Sequence, residues 1–159
     1  MMRDEGGTAA VTTLVMLPLL LIVLVGVLEL GALRAVAYRA TAAADLATIV
    51  AVGDQDPAEL VRTGTLRLAP DAADTARDYF ARNLSASAPV LAASAEAIAA
   101  LADVAAFPTA PSFDPRTGAR YDRPTVRLIA TVPVRTPGFA ALLMPAVTTL
   151  TIRSASSPR

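Results

Sequence analysis

Carboxylates are where chemistry would have to come from in this chain, because it contains neither histidine nor cysteine. That absence removes histidine-based nucleophile triads, disulfide frameworks and Cys/His zinc sites. Asp114 and Asp122, in "FDPRTGARYDRP", are the nearest thing to a paired acid and base. Division of those roles requires two groups held around one substrate, and nothing in their spacing pins them together. Asp54 and Asp56, in "GDQDP", lack the further oxygen ligands of a calcium loop and read as a solvated turn. Glu29 is of another kind, since it closes a long uncharged run. A carboxylate at the edge of hydrocarbon either stays in reach of headgroups and water or pairs with a basic group. Glu29, with Arg34 beyond it, is therefore read as interfacial, or as a position that pairs with a basic residue on a partner helix. No catalytic residue, cofactor or metal is expected.

The elements that hold these residues begin with the run itself. From Gly6 to Leu28 there is no charge over about 23 residues, enough to cross a bilayer as a helix with modest tilt. Pro18 interrupts it and Gly26 is tolerated in such a helix. Three readings compete. A cleaved secretory signal would use Ala35-Val36-Ala37 as its small-x-small site, but the apolar core is too long and Asp4 and Glu5 sit beside Arg3 in the tip. A core helix of a soluble protein would show one polar face, and this run is apolar all round. A retained single-pass membrane helix fits length and composition. Charge leaves its orientation open: Arg3 flanks one end, Arg34 and Arg39 the other. Residues 30–52 then continue as good helix formers, with a small-residue surface that would admit a neighbouring helix closely.

Composition agrees with such a chain. Hydrophobic residues make up 54% and charged residues 18%, while aromatics are only 4%. Fourteen basic and fourteen acidic residues cancel, with no basic block, so no nucleic-acid partner is expected.

Beyond the run, Pro57 is expected to stop the helix in a loop. "PDAADTARDYFARNL" predicts an amphipathic helix capped by Asp71, with Ala73, Ala76, Phe80 and Leu84 as its apolar stripe. "PVLAASAEAIAALADVAAF" is read as helical, with Val90, Leu91, Ile98, Leu101 and Val104 facing the core and its first few residues able to pair as a strand instead. "PTAPSFDPRTGARYDRP" is a long loop or hairpin excursion. "TVRLIATVPV" predicts a strand burying Val126, Leu128, Ala130, Val132 and Val134, with Arg127 on the opposite face and Pro133 near a sheet edge. "AVTTLTIRSAS" is its partner. Between them Phe139, Leu142, Leu143 and Met144 are expected to cover the sheet, or else to form a partner-binding or membrane-touching patch. The fold class is α+β: a long N-terminal transmembrane helix, short helices and a C-terminal antiparallel sheet.

"RDEGGTAAVTTLVMLPLLLIVLVGVLELGALRAVAYRATAAADLATIVAV" resembles the N-terminus of TadE/TadG-like proteins, pseudopilin-like components of the tight-adherence (Flp pilus) machinery. The likeness covers about the first third of the chain. It lies in the charged "RDEGG" tip, the Ala-Ala-Val step, the Leu-Pro-Leu span, "ELG" and "AAADLA", in that order. It implies a tip or leader over 1–7, a membrane helix over 8–30, a helical extension over 31–52 and a pilin-like extracytoplasmic domain over 53–159. It also implies a prepilin-peptidase cut between Gly7 and Thr8. Thr12 stands where the family commonly has the glutamate that serves peptidase recognition and subunit pairing, so both a cut and an uncut product stay open. The implied partners are membrane lipid, other pilin-like or Tad secretion components and a prepilin peptidase, at the inner membrane. A membrane-anchored or secreted binding module unrelated to pili is the alternative.

Overall fold

The computed structural model describes the backbone of residues 5–158 and the side chains of residues 12–158. One helix, α1 (Glu5–Gly53), accounts for 49 residues and extends about 74 Å. It runs unbroken through Pro18, and it has two unlike halves. From Thr12 to Ala35 nearly every side chain is exposed, including Leu14, Leu20, Ile22 and Leu28. From Val36 onward one stripe is buried: Val36, Ala40, Ala43, Ala44, Ala47, Thr48, Ala51 and Val52. Steps of three and four residues put these side chains on a single face.

That stripe packs on the chain's own head. α3 (Ala72–Leu84) lies against α1 and contributes Ala72, Ala76, Phe80 and Leu84. The small-residue surface expected to receive a neighbouring helix is thus filled from within the chain. Alanine allows the close approach, and Phe80, fully buried, supplies the bulk that alanines lack. Asp71 sits at the N-cap of α3, but its side chain makes no capping bond; its carbonyl oxygen accepts from the amides of Asp74 and Thr75.

Pro57 does not end in a plain loop. It opens α2 (Pro57–Thr63), where its missing N–H costs nothing. Asp56 caps this helix, its Oδ1 accepting from the amides of Ala58 and Glu59 at 3.0 and 3.1 Å. Gly64 closes it at φ 71°, a left-handed position suited to glycine.

After α3 a 3-10 turn (Ser85–Val90) leads to α4 (Ala95–Ala100), capped by Ser94. The helix expected to continue from there stops at Leu101, and Asp103–Phe107 is strand β1. Tertiary pairing overrides the helix preference of its alanines: β1 runs antiparallel to β4 (Thr125–Arg135), which also pairs with β5 (Val147–Ser156), giving the order β1-β4-β5. Of the residues expected in the core there, Leu91, Ile98 and Val104 are buried, whereas Val90 and Leu101 are exposed. The expected inner face of β4 is fully buried, with Val126, Leu128, Ala130, Val132 and Val134 all at 2% exposure or less. β4 is central rather than at an edge. Its Pro133 end nevertheless lies beyond the reach of β1, and there the amide of Ala92 donates to the Pro133 carbonyl.

The inner face of the sheet meets α1. Thr48 Oγ1 lies 2.9 Å from Ser154 Oγ and 2.8 Å from Ser156 Oγ, and it donates to the Asp45 carbonyl. This hydroxyl group therefore ties the helix to β5 inside an otherwise apolar contact. The outer face carries a small hairpin, β2 (Ser112–Phe113) with β3 (Arg120–Tyr121), where Tyr121 stacks obliquely on Phe107 of β1 at 5.1 Å between ring centres. The chain is α+β, with a long apolar N-terminal helix and a C-terminal antiparallel sheet.

Candidate functional site at the end of the apolar run

Glu29 closes the uncharged run of α1 and is half-buried there. What covers it is α5 (Pro137–Ala141), a short helix in the connection from β4 to β5. Its formation is local: Pro137 occupies the first turn and Gly138 follows. The Gly138 amide donates to Glu29 Oε2 at 3.3 Å. A Cβ added at Gly138 would stand 2.6 Å from that oxygen and 3.1 Å from Val25 Cγ1, so the glycine is what allows the two backbones to approach. Val25 lies one turn deeper in the uncharged run than Glu29. Among the described residues no ion pair joins Glu29 to Arg34, which is exposed further along α1.

The hydrophobic residues expected to cover the sheet do something else. Phe139 and Leu142 are half-buried, Met144 is 52% exposed and Leu143 is 98% exposed. Leu143 also holds φ at 61°, a left-handed backbone uncommon for leucine. From Thr136 to Ile152 the chain carries no charge. Beside α5 a groove of about 530 Å³ is lined by Pro89, Val90, Arg135, Pro137, Ala140 and Val147. Gly7 and Thr8 lie outside the residues whose side chains are described; Thr12 is an exposed position on α1. The structure therefore separates the candidate positions into the N-terminal part of α1 and the Glu29 junction.

Asp114 and Asp122 are not matched as acid and base. Asp114, only 1% exposed, accepts from the Arg116 amide and from Thr117 Oγ1, and its Oδ2 lies 2.8 Å from Arg127 Nε as an ion pair without hydrogen-bond alignment. Asp122 stands on an exposed turn. Asp54 likewise has a structural task, accepting from Thr75 Oγ1. Arg127 lies on the face of β4 opposite the core, as expected, but the expectation did not include its cover: it is buried under the hairpin and forks onto both oxygens of Asp103 at 3.0 and 3.2 Å, while Arg116 reaches the same carboxylate. The available signal was a lone arginine among apolar strand residues, followed by "DPRTG", a sequence built to turn back; Gly118 supplies that turn at φ 73°.

The Arg127 hydrogen bonds hold the Asp103 carboxyl below its ordinary range against the opposing effect of burial. For Asp114 burial acts upward, but the Thr117 and Arg116 hydrogen bonds and the Arg127 charge together prevail, so it too is lowered. Depressed carboxyls stabilise the fold above their unfolded value of about 4, and that contribution is lost as pH falls through the lower folded values. The protection factors of the β2–β3 amides, measured by hydrogen exchange against the intrinsic rate at each pH in detergent-solubilised full chain, are expected to fall on acidification below about pH 4. Asp114→Asn should raise exchange at neutral pH and flatten that acid limb. An unchanged limb would mean that the cluster does not hold the hairpin.

No protein-family model, curated protein or solved structure matches this chain.

Proposed function

We propose that the chain is a non-enzymatic, single-pass membrane protein, a pseudopilin-like component of a Flp/tight-adherence pilus or a related secretion assembly. It sits in the inner membrane with the head outside the cytoplasm and acts by packing, helix against helix and head against neighbouring subunits. The observation that carries the anchoring is the division of α1: an apolar half with almost no protein around it, continuous with a half that forms the core of the head. Exposed leucines along about five turns are stable only in lipid or among similar helices. The pilus assignment is supported by the resemblance of the first third of the chain.

Protease added to spheroplasts is the test. Digestion of residues beyond about 35, with the uncharged run protected, is the expected pattern. Intact mass of the protein from its native host separates the processing routes. Loss of residues 1–7 supports pilin-type maturation and an uncut chain supports a permanent anchor. Loss through Ala37 would make the run a discarded signal and contradict the proposal.

A further inference from the structure

Resting on the membrane-anchor reading, we propose that the α5 loop is a second membrane contact: Leu143 and Met144 dip into the outer lipid interface beside the anchoring helix. Depth is fixed by what holds the loop. The Gly138 amide bonds Glu29, and Gly138 stands next to Val25, inside the uncharged run. If the run from Thr8 to Leu28 fills the hydrocarbon, which takes about 20 residues, then Val25 lies about 5 Å below its outer boundary. A loop clamped at that level cannot avoid the headgroup region. Its chemistry suits that place. The tip is apolar and exposed, no charge occurs between Thr136 and Ile152, and Arg135 lies at the strand end where it can reach phosphate. The left-handed backbone of Leu143 presents its side chain outward with no packing inside the protein to compensate. The contact would fix the tilt and rotation of the head relative to the bilayer, which a single helix leaves free.

The chain's lack of cysteine permits single-site labelling. Full chain carrying Leu143→Cys, Leu21→Cys or Val61→Cys is labelled with the environment-sensitive dye NBD. It is then reconstituted into phosphatidylcholine/phosphatidylglycerol vesicles containing nitroxide lipids, placed either near the headgroup or near the bilayer centre. Val61, 89% exposed, belongs to α2, which follows the far end of α1 in the chain, and that end is about 42 Å from Val25 along α1. The dye at Leu143 is expected to shift to the blue and to be quenched by the shallow nitroxide more than by the deep one. At Leu21 the deep nitroxide should dominate, and at Val61 neither should act. Adding Gly138→Ala, which displaces the Glu29 contact, should lower shallow quenching at position 143 severalfold while leaving position 21 unchanged. Quenching at 21 with none at 143 overturns the loop contact and leaves the anchor standing. A blue shift at 143 without lipid quenching assigns the patch to a protein neighbour and also overturns it. Absence of quenching at 21 overturns both.

Discussion

Full-length chain carrying Leu17→Arg together with Leu21→Arg is expected to leave the alkali-washed membrane fraction while its head stays folded. Both leucines are more than half exposed and belong to the half of α1 that precedes its buried stripe, so the substitutions remove no buried side chain from the head. In a bilayer they lie near the middle of the uncharged run. Each arginine there costs about 3 kcal/mol on insertion scales, and two on the same helix face cannot both snorkel to one surface cheaply. A combined penalty of about 6 kcal/mol corresponds to roughly four decades in the partition between membrane and water. The measurement is the pelleted fraction after carbonate washing, with hydrogen exchange of the β4 amides as the check on the head. Retention equal to that of the unchanged chain would mean that the apolar half is held by something other than lipid.

Phe80→Ala should have the largest effect on stability. Phe80 is fully buried where α3 meets the alanine stripe of α1, and the chain has only four phenylalanines and no tryptophan. Removing its ring leaves a cavity that the surrounding alanines are too short to fill, so the loss is expected near the middle of the 3–5 kcal/mol range, about 4 kcal/mol. For a head with total stability of about 5–15 kcal/mol this is a large fraction. Urea unfolding in detergent, followed by tyrosine fluorescence, reads it as a lowered midpoint. Leu101→Ala, at a leucine 88% exposed, is the control and should change stability by no more than about 0.5 kcal/mol. Equal effects from the two would mean that the α1–α3 contact is not the core.

What the sequence made legible was what period and hydrophobicity determine locally. The alternation in β4 placed five buried residues correctly, and the uncharged run with its alanine-rich sequel announced one long helix. The failures have a common cause in long-range contacts. Asp103–Phe107 carries helix-favouring alanines, yet it becomes a strand because β4 offers an unpaired edge along its first half. Arg127 alternates outward as expected, but a hairpin folded over the outer face turns that position into an interior. Capping went to Asp56 rather than to Asp71. Both precede a helix, and only the backbone geometry decides which side chain reaches the amides. At the candidate site Glu29 was recognisable as a carboxylate ending an apolar run. Its partner, the amide of a glycine 109 positions away, had no local signature at all.

On this reading α1 serves at once as lipid anchor and as core of the head. Carbonate extraction of membranes from the native host, followed by intact-mass measurement of the recovered chain, puts both roles to the test. The expected result is a pelleted protein, released only by detergent, whose mass includes the whole run from Thr8 to Glu29. The same mass recovered from the soluble fraction without detergent, with the run still attached, would contradict it.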